Sequence, residues 1–410
     1  MKLIDRAADR SGRAALKSFS QELSSGGYGK STVANHVRSA GHFVQWTRRQ
    51  GAQLAELSER WIDRFEIHLT NCHCRTGHWS DAHAWRAGAA YGARHFLGHL
   101  ERTGVVAAEP KAAVSEPVLL TAFKQWMRQH RGTHDVTLHN YSLPIQALLS
   151  RLGEDPAKFD ARSLREFVLT ESQHCHWTVT QRCTTALRAF LRFLIAEGRC
   201  STAIEAGIPM LAHWRLSRLP RYFQPEDVER LIASCDPMTA MGKRDRAVLL
   251  LLARLGLRAG DIVQCRLGDI DWKGGWIHVC GKSRRPTRLP LTQEVGEAIV
   301  TYLQEARPKT TVDALFVTCR APFRRFSSHS AVSVIVDKAI KRAGVERPCR
   351  GAAHLLRHSV ASNLLRQGAS LQDIAVLLRH RSIETTQIYA KVDVAALRQI
   401  AQVWPEVQSC

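Results

Sequence analysis

Long apolar runs are missing from this chain. Near its middle the longest, Ala247 to Ala253, is seven residues closed in by Arg246 and Arg254, whereas a membrane-spanning helix needs about 20. The opening residues, MKLIDRAADR, break their apolar positions with charge, so no secretory signal peptide is expected. Paired cysteines are missing too. Eleven cysteines are scattered without a CxxC pair, which argues against a disulfide framework and for reduced thiols in a cytoplasmic setting. Acid is scarce: 37 Asp and Glu face 58 Lys and Arg, a net charge of +21 with histidines neutral. Such a surplus favours a polyanionic partner, and with no membrane segment that partner is nucleic acid.

What is present is helical pattern. A length of 410 residues with 45% hydrophobic content leaves room for two or three domains, each with a packed core. Leu16, Phe19 and Leu23, then Val33, Val37, Ala40, Phe43 and Val44, fall at helical spacing. Gly26-Gly27 separates those helices, and Gly104 closes the helix from Ala93 to Arg102. Residues 1–106 therefore read as an N-terminal helical module, followed by a proline-containing linker at 107–118. Residues 119–205 retrace the same plan as a second helical module. The stretches ARHFLGHLERTG (93–104) and LRAFLRFLIAEG (187–198) put Phe, Leu and Leu in one order before a glycine. Residues 206–224 form a linker made basic by Arg215, Arg218 and Arg221 and irregular by Pro209 and Pro220. In the first module Cys72, His73, Cys74, His78 and His83 crowd together. Their spacing matches no standard structural zinc pattern, so they read as a loop rich in His and Cys.

A further domain, 225–410, opens at Pro225-Glu226-Asp227, where proline at the first helical position and two acids mark a helix start. The segment from Arg244 to Leu255 is apolar nearly all round and predicts a buried central helix. Then comes the one clear β signal. Asp269 to Trp272, a Lys-Gly-Gly turn, and Trp276 to Cys280 read as a hairpin, and a turn over 281–286 leads to Arg288 through Leu291. Helix is expected throughout the remainder, with starts at Thr292 and Ser370, a stop at Gly368, and Ser370 with Asp373 as a capping pair. The fold class is thus mainly α with a small three-stranded antiparallel sheet.

The stretch His354 to Tyr389 carries the chemistry. His354 and Arg357 are three residues apart, on one face of a helix, and His380 and Tyr389 follow. Guanidinium groups match the two non-bridging oxygens of a phosphodiester, and Arg258 and Arg357 suit that task. A phenol with a pKa near 10 is a poor nucleophile at neutral pH. Arginines and a proton-accepting histidine nearby would lower the barrier. Lys282, at a hairpin tip, is placed to give a proton to a leaving hydroxyl.

These residues resemble the catalytic boxes of the tyrosine recombinase, or phage integrase, family, with its Xer-like members most similar. GLRAGDI (256–262) resembles the first box, with Arg258 as its arginine and Asp261 as a supporting acid. CGK (280–282) is similar to the lysine box, 24 residues past Arg258. HLLRH (354–358) matches His-x-x-Arg, and LLRHRSIETTQIYAKV (377–392) resembles the last box, with Arg379 where the family usually has glycine. The resemblance implies an integrase-type catalytic domain preceded by core-binding helical modules. It also implies Arg258, Lys282, His354, Arg357, His380 and the nucleophile Tyr389 as catalytic residues. The expected activity is site-specific recombination through a 3′-phosphotyrosine intermediate, for integration, excision or transposition of a mobile element. No cofactor or metal is implied. The implied partners are double-stranded DNA with paired sites and a homo- or hetero-tetramer on it, cytoplasmic and nucleoid-associated, with no membrane. Val394, Leu397, Ile400 and Trp404 are a candidate face for docking on a neighbouring protomer. The alternatives are a topoisomerase of type IB character and a DNA-binding regulator of the same fold.

Overall fold

The computed structural model describes residues 10–72, 82–107, 116–210, 219–280, 286–349, 351–380, 382–392 and 397–398. By packing, the chain divides into two compact units, Glu109–Arg215 and the combination of Met1–Ala108 with Leu216–Cys410. No helix of the described residues is long and apolar enough to cross a membrane.

Among the described residues up to 107 there are four helices, α1 (Arg10–Ser25), α2 (Lys30–Arg49), α3 (Glu59–Asn71) and α4 (Ala82–Arg102). Their apolar stripes meet in one core around Leu16, Phe19, Phe43, Phe65 and Phe96. The second unit repeats this order with α5 (Val118–Arg131), α6 (Asp135–Leu152), α7 (Ala161–His174) and α8 (Trp177–Ala196) around a separate core of Phe123, Phe167 and Phe190. In each set the second helix packs along the fourth. Each fourth helix is followed by a left-handed glycine, Gly104 at φ 72° and Gly198 at φ 70°. A side chain there would clash with its own backbone, so glycine lets the chain turn back sharply.

From Pro225 the chain forms α9 (Pro225–Ala233), with proline in its first turn, and then α10 (Ala240–Ala253). Thr239 Oγ1 accepts the Gly242 N–H at 3.0 Å and starts α10. Leu249 to Leu252 are all fully buried, because neighbours cover this helix on every side. Helix α11 (Ala259–Gln264) leads into the sheet, ordered β1 (Ile270–Asp271), β2 (Trp276–Cys280), β3 (Pro286–Pro290), antiparallel throughout. Asp271 makes the first turn: its carboxylate accepts the N–H groups of Lys273 and Gly274 at 3.1 and 2.9 Å. Ile277, Val279 and Leu289 face the core. Helices α12 (Gln293–Thr301), α13 (His329–Ala343), α14 (Ala352–Arg366) and α15 (Leu371–Leu377) complete the domain.

Sequence pattern predicts no structure but helix after Thr292, and the structure departs from it over residues 307–328. Residues 307–328 carry only two isolated bridges, Arg266 with Ala314 and Val317 with Arg325. Pro308 and Pro322 remove donors there, and Arg307 takes the carbonyls of Val312, Ala314 and Leu315 for its own guanidinium. The start at Ser370 is as expected: its hydroxyl accepts the Asp373 N–H at 3.1 Å, and the Asp373 carboxylate accepts in return.

Candidate active site

Three segments of the last domain converge: the turn after α10, the first half of α14, and residues 378–389. Gly256 makes the turn possible. Its φ is 58°, and a Cβ there would lie 2.6 Å from Leu378 Cδ2. The turn delivers Arg258 to the N-terminus of α11, where its backbone N–H donates to Asp261 Oδ2 at 3.0 Å.

Arg357, on α14, is only 2% exposed. Its Nη1 donates to the Gly256 carbonyl and its Nη2 to the Leu378 carbonyl. Arg258 Nη2 donates to the next carbonyl, that of Arg379, at 3.1 Å. Two guanidinium groups therefore grip consecutive carbonyls at the end of α15. Burial, then Arg258 and Arg379, lower the pKa of Arg357, so the site concentrates positive charge away from solvent.

Arg379 adds a third guanidinium. It takes φ 52°, among the described residues the one non-glycine at positive φ. Its Nη2 pairs with Asp261 Oδ2 at 2.6 Å, with the two side chains 8% and 4% exposed. Its Nε and Nη1 are buried with no hydrogen-bond partner among the described residues. The residue thus keeps the left-handed backbone that glycine adopts freely, and Asp261 is the counter-charge on its side chain.

His354 stands exposed one turn before Arg357 on the same helix. The protein around it, then Arg357 and Arg258, lower its pKa. His380 Nδ1 lies 2.7 Å from Thr386 Oγ1. Burial, then the Arg357 and Arg258 charges, hold its pKa down at about 4. Tyr389, in the 3-10 turn Gln387–Val392, is 2% exposed. Burial raises its pKa to about 12, against the pull of Arg357. It belongs to a small satellite core with Ala361, Leu365, Ile374 and Leu378.

Sequence reasoning missed His358. Its Nδ1 lies 2.8 Å from the Tyr389 hydroxyl, and its ring meets that of His354 edge-on at 4.3 Å between centroids. Burial, then the neighbouring His354 and Arg357, lower its pKa to about 3. A neutral ring accepts the phenol's proton at Nδ1 when its own proton is on Nε2. The signal lies in HLLRH, where His358 is one turn past His354 on the same helix face.

The structure brings Arg258, Asp261, His354, Arg357, His380 and Tyr389 together in one region. Lys282 lies outside the described residues, as do Val394, Ile400 and Trp404, while Leu397 is exposed.

Known proteins resemble this chain in sequence and in fold. The family model described as "Phage integrase family" matches residues 221–395. A "Putative integrase/recombinase y4rA" of Sinorhizobium fredii is 35% identical over 396 residues, spanning 94% of this chain and 93% of that protein. A "Tyrosine recombinase XerC" of Pelotomaculum thermopropionicum is 33% identical over 299 residues, 68% of this chain and 94% of that one. Among solved structures, the XerH site-specific recombinase in its post-cleavage complex with palindromic difH aligns with a TM-score of 0.54. That pair is 20% identical over 84% of this chain and 95% of that chain. A lambda integrase tetramer on a Holliday junction aligns with a TM-score of 0.52, at 17% identity over 77% of this chain and 88% of that chain. These two carry the fold, and the nearer relatives carry the family: this chain belongs to the phage integrase family and is a tyrosine recombinase, an enzyme that cleaves and rejoins DNA.

Proposed function

We propose that Tyr389 is the nucleophile of this recombinase and that Arg258, Arg357, His354 and His380 hold the phosphate it attacks. The observation that carries this reading is that the Tyr389 hydroxyl lies against His358, whose ring meets that of His354, in the same region where Arg258 and Arg357 bind successive carbonyls at the end of α15. The phenol gives its proton to the His358 imidazole 2.8 Å away, its oxygen bonds to phosphorus and the P–O5′ bond breaks, leaving a 3′-phosphotyrosine. Lys282 supplies the proton that the departing 5′-hydroxyl needs. A 5′-hydroxyl from another strand then attacks the same phosphorus and releases the phenol. The ester energy stays in the protein–DNA bond, so the residues suffice without a nucleotide cofactor. Positive charge buried beside the reacting atoms stabilises the charge that builds on the phosphate.

The substrate is double-stranded DNA with paired sites, held by four protomers. The role is integration, excision or transposition of a mobile element, in the cytoplasm beside the nucleoid. The near full-length match to a putative integrase/recombinase supports it, since the N-terminal module is included in the match. In this reading residues 1–106 and 119–205 are helical DNA-contacting modules, 107–118 and 206–224 their linkers, and 225–410 the catalytic domain. The +21 charge suits that partner.

A suicide substrate nicked near the cleavage point tests the chemistry. The wild-type chain traps a covalent adduct, and Tyr389→Phe binds the DNA and traps none. An adduct in Tyr389→Phe would overturn the nucleophile. Relaxation of a supercoiled plasmid lacking special sites, with no recombinant product from paired sites, would favour the topoisomerase alternative.

A further inference from the structure

The first module holds a cluster of soft ligands that recombination does not use. His42 lies on α2, and His68 and Cys72 lie at the C-terminal end of α3. The ligand atoms of all three fall within 4.8 Å of one another. His68 and Cys72 are four residues apart, one helical turn, so both project from one face of α3 towards α2. The Cys72 sulfur is 3.6 Å from His42 Nε2. A tetrahedral zinc with ordinary bonds of about 2.3 Å to sulfur and about 2.05 Å to nitrogen holds those two atoms about 3.6 Å apart.

The rings are already fixed in place. His68 stacks on Trp46 at 5.2 Å and 21°, and His42 stacks on Trp85 at 6.3 Å and 28°. Each residue is half-buried, which leaves room for a water as a fourth ligand.

We infer that His42, His68 and Cys72 form a zinc site that ties the end of α3 to α2. Two imidazoles and a thiolate select zinc over the hard cations, which prefer oxygen ligands. The sequence alone hides the site, because His42 is 26 residues before His68. The spacing expected of a zinc finger is absent, and contact between two helices replaces it.

The test uses the full-length chain, freed of metal by a chelator and titrated with cobalt(II). One cobalt per chain is expected, with a near-ultraviolet thiolate-to-cobalt charge-transfer band that zinc removes. Cys72→Ser should lose the band with its far-ultraviolet circular dichroism intact. His42→Ala and His68→Ala should each weaken binding by more than about tenfold. No band in the wild type, or a full band in Cys72→Ser, would overturn the site and leave only a thiol–imidazole hydrogen bond. Should Cys72→Ser fail to fold, melting decides. A zinc-dependent rise in the wild-type melting temperature that is missing in folded His42→Ala supports the site. Equal wild-type melting with zinc and with chelator overturns it.

Discussion

The Arg379–Asp261 pair gives the sharpest test of how this site is held. Asp261→Asn leaves the Arg379 guanidinium buried, with Nε and Nη1 already unpartnered and Nη2 now facing a neutral amide. Removing one partner of a buried pair costs about 3–5 kcal/mol. Arg379→Gly should cost far less. It relieves a left-handed backbone worth about 1–2 kcal/mol, and Asp261 keeps the Arg258 N–H at 3.0 Å. The double variant should therefore be less damaged than Asp261→Asn alone. Scanning calorimetry on the four full-length proteins measures this, at about 2–4 °C of melting shift per kcal/mol. A coupling of about 2–3 kcal/mol is expected. Coupling below about 0.5 kcal/mol, with Arg379→Gly as harmful as Asp261→Asn, would refute the pairing.

Gly256→Ala should destabilise the domain by about 1–3 kcal/mol, since its φ is 58° and its new methyl meets Leu378 at 2.6 Å; chemical denaturation reads it, and a neutral effect would contradict the turn. His358→Ala strips the Tyr389 hydroxyl of its acceptor at 2.8 Å and should cost about 1–3 kcal/mol by the same measurement, with adduct formation on a nicked substrate also altered. Stability should fall as pH drops from about 6.5 towards 4. His380 and His358 stay neutral in the fold down to about 4 and about 3, while the unfolded chain takes up their protons near 6.5. The folded state then binds fewer protons than the unfolded one, so this contribution is complete above pH 6.5 and is lost below it. Melting curves in the His380→Gln, His358→Gln variant should lose part of that slope; an unchanged slope would contradict the assignment.

Much of the last domain was legible because its signals are local. The Lys-Gly-Gly turn, the proline at Pro225 and the Ser370 cap each act within four residues, and the structure has all three. The boxes around Arg258 and Arg357 were legible as spaced residue types. What was not legible depends on contacts between distant segments. His358 finds Tyr389 31 positions away, and Arg379 finds Asp261 118 positions away. Arg379 stands where the family usually has glycine, and it takes a left-handed φ of 52°. The structure keeps that conformation and turns the added side chain inward. Helix was expected over 307–328 too, where Pro308 and Pro322 and the Arg307 guanidinium, which takes the carbonyls of Val312, Ala314 and Leu315, break it.

If Tyr389 is the nucleophile proposed above, its sheltering bears on the order of events in catalysis. A phenol clasped by a neutral imidazole and packed against four buried apolar residues stays out of reach of water and stray esters while that packing holds. Small peripheral clusters of this kind open at a lower free-energy cost than a main core. On that reading, readiness to cut is separate from possession of the cutting group, and a strand can be broken only once the Tyr389 hydroxyl is uncovered.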